Sequence, residues 1–351
     1  MEGRWLGAAP RLGFLGVGWI GRSRMQTLAE AGASICAICD PSSEMVQKAC
    51  KLAPGAAVTD SLEDMLAMGL DGVVIATPSA FHAEQAMTAL AANSAVFCQK
   101  PLGRNLTEVQ AVIEAAKASN RLLGLDLSYR HTAAMQAVRS LLREGTIGQV
   151  HAVDLVFHNA YGPDKPWFYD AALSGGGCLI DLGVHLVDLL LWALDFPIVV
   201  GTHARLLAKG HVLTGKEVED YALAMLDLEG GQVARLACSW RLHAGCDAVI
   251  GATFHGALGS LIFTNVGGSF YDFEAHLARG TSRECLVSPP DAWGGRSIRH
   301  WTEHLATDRH FDAEAGQFAR VAEVLDRIYQ ANARRIAAIQ DRPLGAKLWV
   351  S

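Results

Sequence analysis

Two runs in this sequence bring together residue types that could do chemistry. The first is Gly16-Val17-Gly18-Trp19-Ile20-Gly21, a G-x-G-x-x-G that follows an apolar run and opens a helical pattern. The first Gly permits a tight turn, and the second lets backbone approach a pyrophosphate. The third allows close helix–strand packing, with the anion resting on the helix N-terminus. Trp19 and Ile20 occupy that same first turn. Asp40 follows Gly21 by 19 residues, at the end of the next apolar run. A carboxylate there suits a ribose diol and repels a 2′-phosphate, so NAD is expected and NADP is disfavoured. The second run is Gly175-Gly176-Gly177-Cys178-Leu179-Ile180-Asp181-Leu182-Gly183-Val184-His185. Asp181 and His185 stand at i and i+4, one helical turn apart. A neutral imidazole beside a carboxylate makes a general base near pH 7, with the Asp orienting the ring or holding a substrate hydroxyl. The residues alone leave equally open a helical pair that only packs. Asp188 adds a third polar group, but no further ligand is marked to complete a metal site, so no metal is expected.

Ahead of the glycine run, His158 to Asp170 holds Tyr161, Trp167, Phe168 and Tyr169. Aromatic faces beside polar groups suit a sugar or cyclic polyol, and they also suit an interface. Tyr161 and Trp167 are taken here as substrate lining. Three other motif matches carry less. Cys36 and Cys39 form a C-x-x-C inside a strand-like run, with no second pair to make a zinc site. His300-Trp301-Thr302-Glu303-His304 matches H-x-x-E-H but sits in a Gly- and His-rich stretch without a partner ligand, so a peptidase is not expected. Gly210 to Lys216 reads G-x-x-x-x-G-K, yet Glu217, Glu219 and Asp220 follow and would repel phosphates, which makes it a β-loop.

These residues need elements to position them. The chain has 351 residues, 50% hydrophobic and 19% charged, which excludes wholesale disorder and fits about two domains. A formal charge of −6 gives no basic surplus, so neither a nucleic-acid partner nor a membrane surface is expected. The apolar stretch Gly183 to Val200 is interrupted by His185, Asp188 and Asp195 and is not a membrane span. The start could pass as a short leader, but Glu2 sits where a basic residue belongs and the apolar run flows into the glycine turn. Eight scattered cysteines read as reduced thiols of a cytoplasmic protein.

Short apolar runs at Arg11 to Val17, Ser34 to Cys39, Gly72 to Ala76, Ala95 to Cys98 and Leu122 to Leu125 read as buried strands. Helical patterns separate them at Ile20 to Ala31, Ser42 to Leu52, Ala80 to Ala92 and Leu106 to Ser119. This alternation predicts an α/β Rossmann domain, a doubly wound parallel sheet, over residues 1–126. Beyond it, helical runs at Ala133 to Glu144 and Leu179 to Leu194 accompany strand-like runs at Val150 to His158, Tyr221 to Leu228, Gln232 to Trp240, Ala248 to Phe254 and Ser260 to Phe263. They predict an α+β domain over residues 127–351 with a large, mostly antiparallel open sheet. Residues 279–312 read as loop, and a final helix, Glu314 to Gln340, is placed to pack back toward the first domain.

Taken in order, the segments GVGWIG, Ala76-Thr77-Pro78 with His82, Lys100-Pro101-Leu102, GGGCLIDLGVHLVDLLLWAL and Val218-Glu219-Asp220-Tyr221-Ala222, ending near Ser239-Trp240, resemble the glucose-fructose oxidoreductase/inositol dehydrogenase/MocA (Gfo/Idh/MocA) family. The likeness covers nearly the whole chain and weakens after about residue 270. It implies an NAD-dependent oxidoreductase moving hydride between nicotinamide and a secondary alcohol of a sugar, inositol or related polyol. It further implies that Lys100 contacts the reacting oxygen, where a cation favours alkoxide character, and that Pro101 is cis. By the same likeness His185 resembles the general base, Asp181 its substrate-binding helper, and Thr77, Pro78 and His82 the loop beside the nicotinamide ribose. Gln99 joins Lys100 among the cofactor contacts, while Tyr129 and Arg130 border the substrate. The open face of the second sheet is expected to pair with another subunit, giving a homodimer or homotetramer. One departure stands out: where the family commonly has Glu-Lys-Pro, this chain has Gln99-Lys100-Pro101. The amide keeps hydrogen-bonding capacity but removes a carboxylate that could pair with Lys100. Relatives of other kinds leave two alternatives, an NAD-dependent redox glycosidase and a non-catalytic NAD(H)-binding sensor.

Overall fold

The computed structural model describes residues 9–340 apart from Lys216. The first eight residues of the leader-like start, Glu2 among them, and the lysine of the G-x-x-x-x-G-K run therefore lie outside the described residues. Six parallel strands form the first sheet: β1 (Arg11–Leu15), β2 (Ser34–Cys39), β3 (Ala57–Val58), β4 (Gly72–Ile75), β5 (Ala95–Cys98) and β6 (Leu123–Leu125). Their order, β3-β2-β1-β4-β5-β6, is that of a dinucleotide-binding sheet, with the strand order reversing between β1 and β4. β4 and β5 are buried at every position, as strands covered on both faces must be. The helices between them start on side-chain caps where the sequence offers one: Ser42 accepts from Met45 N, Ser61 from Asp64 N and Asn105 from Glu108 N.

The second sheet has nine strands: β7 (Val150–Asn159), β8 (Val199–Ala208), β9 (His211–Val212), β10 (Tyr221–Leu228), β11 (Val233–Ser239), β12 (Ala248–Gly256), β13 (Gly259–Asn265), β14 (Phe273–Arg279) and β15 (Ser282–Val287). All its pairings are antiparallel except β7 with β11. Alternate residues of β10 point inward and are buried, and the helix Val184–Ala193, buried at every position, packs on that inner face with the final helix Gly316–Gln340. One apolar helical run, Ala171–Ala193, is long enough to cross a membrane but lies largely inside the protein.

Several expectations are corrected. The stretch 279–312 is not loop: it holds β15 and the helix Arg296–Thr307. On that helix Ser297, Ile298, Trp301, Thr302 and Leu305 are buried, a stripe at helical spacing that the surrounding Gly, Pro and His obscure. Ile298, Trp301 and Leu305 belong to the core of the first sheet, and Trp301 lies against Phe97 at a 5.5 Å ring separation. The H-x-x-E-H match is therefore a packed helix with His300 and Glu303 exposed. Strands β3, β8 and β14 and the short helix Leu62–Leu66 were not anticipated, and β1 stops at Leu15, two residues early, because Gly16 turns the chain.

Candidate active site

The cleft at the carboxyl ends of the first sheet's strands, roofed by the second domain, has a volume of about 890 Å³. One end is built by the glycine turn. Gly16 has φ +84°, and a Cβ there would stand 2.6 Å from the Ala76 backbone. A Cβ on Gly21 would meet the Gly16 carbonyl oxygen at 2.2 Å, whereas Gly18 faces open space. Two glycines thus serve close packing and the third leaves room for a ligand to approach backbone. The helix Trp19–Glu30 begins there and turns its positive end toward the cleft, with Trp19 and Ile20 among the lining residues. Asp40 follows β2. Its Oδ2 accepts from Val17 N and its Oδ1 from Ser42 N, each at 2.8 Å, which fixes the carboxylate while leaving lone pairs for a diol. These residues fit a dinucleotide: an open approach at Gly18, a helix N-terminus and an anchored acid.

Thr77, Pro78 and His82 also line the cleft. The His82 ring is buried, with Nδ1 2.7 Å from the Pro101 carbonyl oxygen and Nε2 2.7 Å from that of Thr77. Both nitrogens are occupied by protein, so His82 ties the β4 loop to the Lys100 turn and offers a ligand no ring nitrogen. Burial lowers its pKa, opposed by the two carbonyls.

At the opposite end, the Lys100–Pro101 peptide is cis. Lys100 Nζ donates to the Asp181 carbonyl oxygen at 2.7 Å and to Asp181 Oδ1 at 2.8 Å. Trp240 Nε1 donates to the other carboxylate oxygen, Oδ2, at 3.1 Å. The expected Asp181–His185 pair is not made. Residues Leu179–Gly183 form a wide π-helical turn, so the i, i+4 spacing does not stack the two side chains as an α-helix would, and Asp181 turns to Lys100 instead. His185 lines the cleft from a buried pocket, edge-on to Tyr129 at 4.8 Å, with Nδ1 enclosed and unpartnered among the described residues. Burial, and then the Lys100 charge, drives its pKa well below the usual imidazole value, so it is neutral without a carboxylate's help.

The π-helical turn is itself held by Glu219, which the sequence marks as part of an acidic run and of the family-like segment but not as a brace for this turn. Glu219 is buried, and its Oε1 accepts from Gly177 N and Leu179 N at 2.9 Å each and from the Tyr329 hydroxyl at 2.8 Å. Burial raises its pKa, and these hydrogen bonds oppose the rise.

The remaining expected site residues divide. Tyr129 and Trp167 line the cleft, the latter stacked on Phe168 at 3.8 Å. Arg130 does not: its guanidinium forms an ion pair with buried Asp188, reaches Gln317 and lies over Trp192 and Phe196, a structural role. Asp188 is thereby accounted for without a metal. Tyr161 is also outside the cleft, exposed and bonded to Asp247. Gln99 lines the cleft but its amide faces Asp126, not Lys100. Arg24, Asp126, Ser128, Tyr271 and Trp293 line it too and were not foreseen, because none falls in a motif and four of the five are brought in by distant segments.

Comparison with known proteins agrees along the chain. The family model described as "Oxidoreductase family, NAD-binding Rossmann fold" (GFO_IDH_MocA) matches residues 11–127, and the GFO/IDH/MocA C-terminal domain model matches residues 135–262. Among curated proteins, 1,5-anhydro-D-fructose reductase of Ensifer adhaerens is 33% identical over 202 residues, covering 56% of this chain and 58% of that enzyme. D-glucoside 3-dehydrogenase of Escherichia coli is 26% identical over 63% of this chain and 67% of its own length. An inositol 2-dehydrogenase of Streptomyces avermitilis is 25% identical over 82% of both chains. The alignments with the first two thus span between about half and two thirds of their lengths. Two solved structures share the fold. GenD2 from gentamicin A biosynthesis, in complex with NAD, has a TM-score of 0.80 at 22% identity, covering 95% of this chain and 96% of its own. Levoglucosan dehydrogenase in complex with NADH has 0.79 at 20% identity, covering 93% and 97%.

Proposed function

Since the chain belongs to the GFO/IDH/MocA oxidoreductase family, we propose that it is an NAD-dependent dehydrogenase or reductase acting on a secondary alcohol of a sugar, inositol or related polyol. The observation that carries this reading is the Lys100–Asp181 pair, set in the same cleft as Gly18 and Asp40. When bound, the nicotinamide supplies the hydride acceptor or donor. Asp181 uses two of the three Lys100 donors and leaves one for a substrate oxygen, where the cation stabilises developing alkoxide. His185, neutral at the cleft wall, takes the alcohol proton, and Asp181, clamped by Lys100 and Trp240, orients the hydroxyl. Trp167 and Phe168 supply an apolar face for a ring substrate and help keep water out. Asp40 favours NAD over NADP. The eight free thiols suit a cytoplasmic protein, and the exposed face of the nine-stranded sheet suits pairing into a dimer or tetramer.

The test is a fluorescence assay for reduced nicotinamide, with NAD or NADP and pooled inositols, aldoses, sugar acids and polyols. NADH accumulation by the wild type, lost in Lys100→Met, is the expected result, and splitting the pool names the substrate. NADH binding without turnover on any pool points instead to the redox glycosidase or the sensor. Failure to bind either reduced cofactor defeats the reading of Gly16, Gly18, Gly21 and Asp40.

A further inference from the structure

On the cleft wall three polar side chains converge on one buried carboxylate. Gln99 Nε2 donates to Asp126 Oδ2 at 2.6 Å, and Arg24 Nε donates to the same oxygen at 2.6 Å. Ser128 Oγ donates to Oδ1 at 2.5 Å and receives Arg24 Nη2 at 3.0 Å. Asp126 is 1% exposed, Arg24 6% and Gln99 7%, so the cluster is shielded from water while still bordering the cleft. The four residues come from three places: the helix that opens at the glycine turn, the end of β5 that runs directly into Lys100, and the segment after β6 that leads to Tyr129.

This geometry fixes what position 99 can be. A glutamate there would set a second carboxylate within hydrogen-bonding distance of Asp126, with one guanidinium to neutralise both, and two buried like charges so close do not both ionise. An amide instead donates to Asp126 and completes the cluster. The negative charge that the family resemblance places at position 99 is therefore carried here at position 126, while Lys100 takes its carboxylate partner from Asp181. We propose that Asp126 is a positioning residue of the active site: by holding Gln99 and Arg24 it locks the Lys100 turn to the helix of the glycine turn. Positions 99 and 126 form a charge-exchange pair in which either one, but not both, is acidic. The turnover and NADH-binding readouts below rest on the function proposed above; the Lys100 labelling does not.

The experiment compares Gln99→Glu, Asp126→Asn and the double variant Gln99→Glu/Asp126→Asn with the wild type. It reads kcat on the sugar found in the pooled assay, NADH binding by fluorescence, and the reactivity of Lys100 toward acetic anhydride across pH by mass spectrometry. The last needs no substrate, and a merely structural brace would leave it unmoved. Gln99→Glu is expected to lower kcat roughly tenfold or more and to change Lys100 reactivity by more than about threefold, with the double variant recovering most of both losses. Should Gln99→Glu not fold, refolding of the double variant supports the exchange. Wild-type behaviour of Gln99→Glu, or a double variant as impaired as Gln99→Glu, overturns it. Absent NADH binding by the wild type would sink the proposed function, yet the labelling comparison would still decide the role of Asp126.

Discussion

At the scale of single residues, the site is organised by Asp181, whose two carboxylate oxygens are taken by Lys100 and Trp240. Trp240→Phe keeps an aromatic ring but deletes the pyrrole ring with its N–H. A hydrogen bond to a charged group contributes about 1.5–3 kcal/mol, so kcat/KM should fall roughly tenfold to a hundredfold, and the vacated volume at this buried position should lower the melting temperature as well; steady-state kinetics and calorimetry check both. His185 sets the pH behaviour. Its folded pKa lies below the usual 6.5, because burial and the Lys100 charge disfavour the imidazolium. A base with a depressed pKa stays unprotonated in mild acid, so kcat/KM should hold at pH 6 and fall only at lower pH; an inflection at or above 6.5 would contradict the assignment. Linkage has the matching sign. The buried neutral ring costs no stability above about pH 6.5, and stability is lost as pH falls from there toward the folded pKa, because the unfolded chain binds the proton more readily. His185→Gln should reduce the slope of the melting-temperature profile in that range, to which His82 and His131 also contribute. Glycine spacing and an acid at the end of β2 made the dinucleotide end readable in the sequence. The partner of Asp181 was not readable, since an i, i+4 count assumes an α-helix and the chain is π-helical there.

The π-helical turn shows why elements decide such matters. Gly177 is pressed so close to Glu219 that a Cβ would stand 1.9 Å from its carbonyl oxygen, and Glu219 in turn receives Gly177 N and Leu179 N. Gly177→Ala must push the turn off Glu219, at a cost of about 1–3 kcal/mol typical of overpacking, and it should weaken the Lys100–Asp181 contact as well. Denaturant unfolding reads the first effect and kcat the second. Element assignment from sequence succeeded where periodicity was clean, in β1, β2, β4 and β5 with the helices Trp19–Glu30, Ser43–Cys50 and Ser79–Ala91, and in β7, β10, β11, β12 and β13. It failed where local composition masked the pattern. The helix Arg296–Thr307 shows its apolar stripe only once His300, Glu303 and His304 are recognised as the outer side, and β14 reads FEAHLAR, too polar to stand out. That hidden helix matters to the first sheet: the Trp301 ring lies where a Cβ on Gly124 would stand, 2.5 Å from its Cδ1, and against Gly72 at 2.7 Å. Trp301→Ala should destabilise by about 3–5 kcal/mol, the usual range for emptying a buried indole site, measurable as a drop in the denaturation midpoint.

For the whole molecule, the final helix joins the two halves. Ala322 packs into the core of the first sheet, while Val321, Val324, Leu325 and Ile328 pack into that of the second. With helices on its inner face, the nine-stranded sheet has an outer face that carries Leu223, Met225 and Val233, 37%, 52% and 44% exposed, beside the Asp154, Arg235 and His255 charge cluster. Nine strands at ~4.8 Å spacing make a face about 40 Å across, and the seven longer strands, of seven to ten residues, make it some ~25–30 Å deep. That offers on the order of 1,000 Å² per protomer, and a stable specific interface needs about 800 Å² from each partner. The proposed self-association through this face therefore has enough area, with an apolar patch on β10 and the start of β11 beside a charge cluster on the central strands β7, β11 and β12. None of Leu223, Met225 and Val233 lines the cleft. Met225→Lys should accordingly shift sedimentation at micromolar concentration from dimer or tetramer toward the 37.5 kDa protomer, leaving NADH binding unchanged. A buried ammonium in the interface, set beside the Arg235 guanidinium across β10 and β11, would weaken association by about 3–5 kcal/mol, more than a hundredfold in the dissociation constant. A wild-type protein that already sediments as the protomer would show that the face is bare by design, and a variant that stays assembled would place the contact elsewhere.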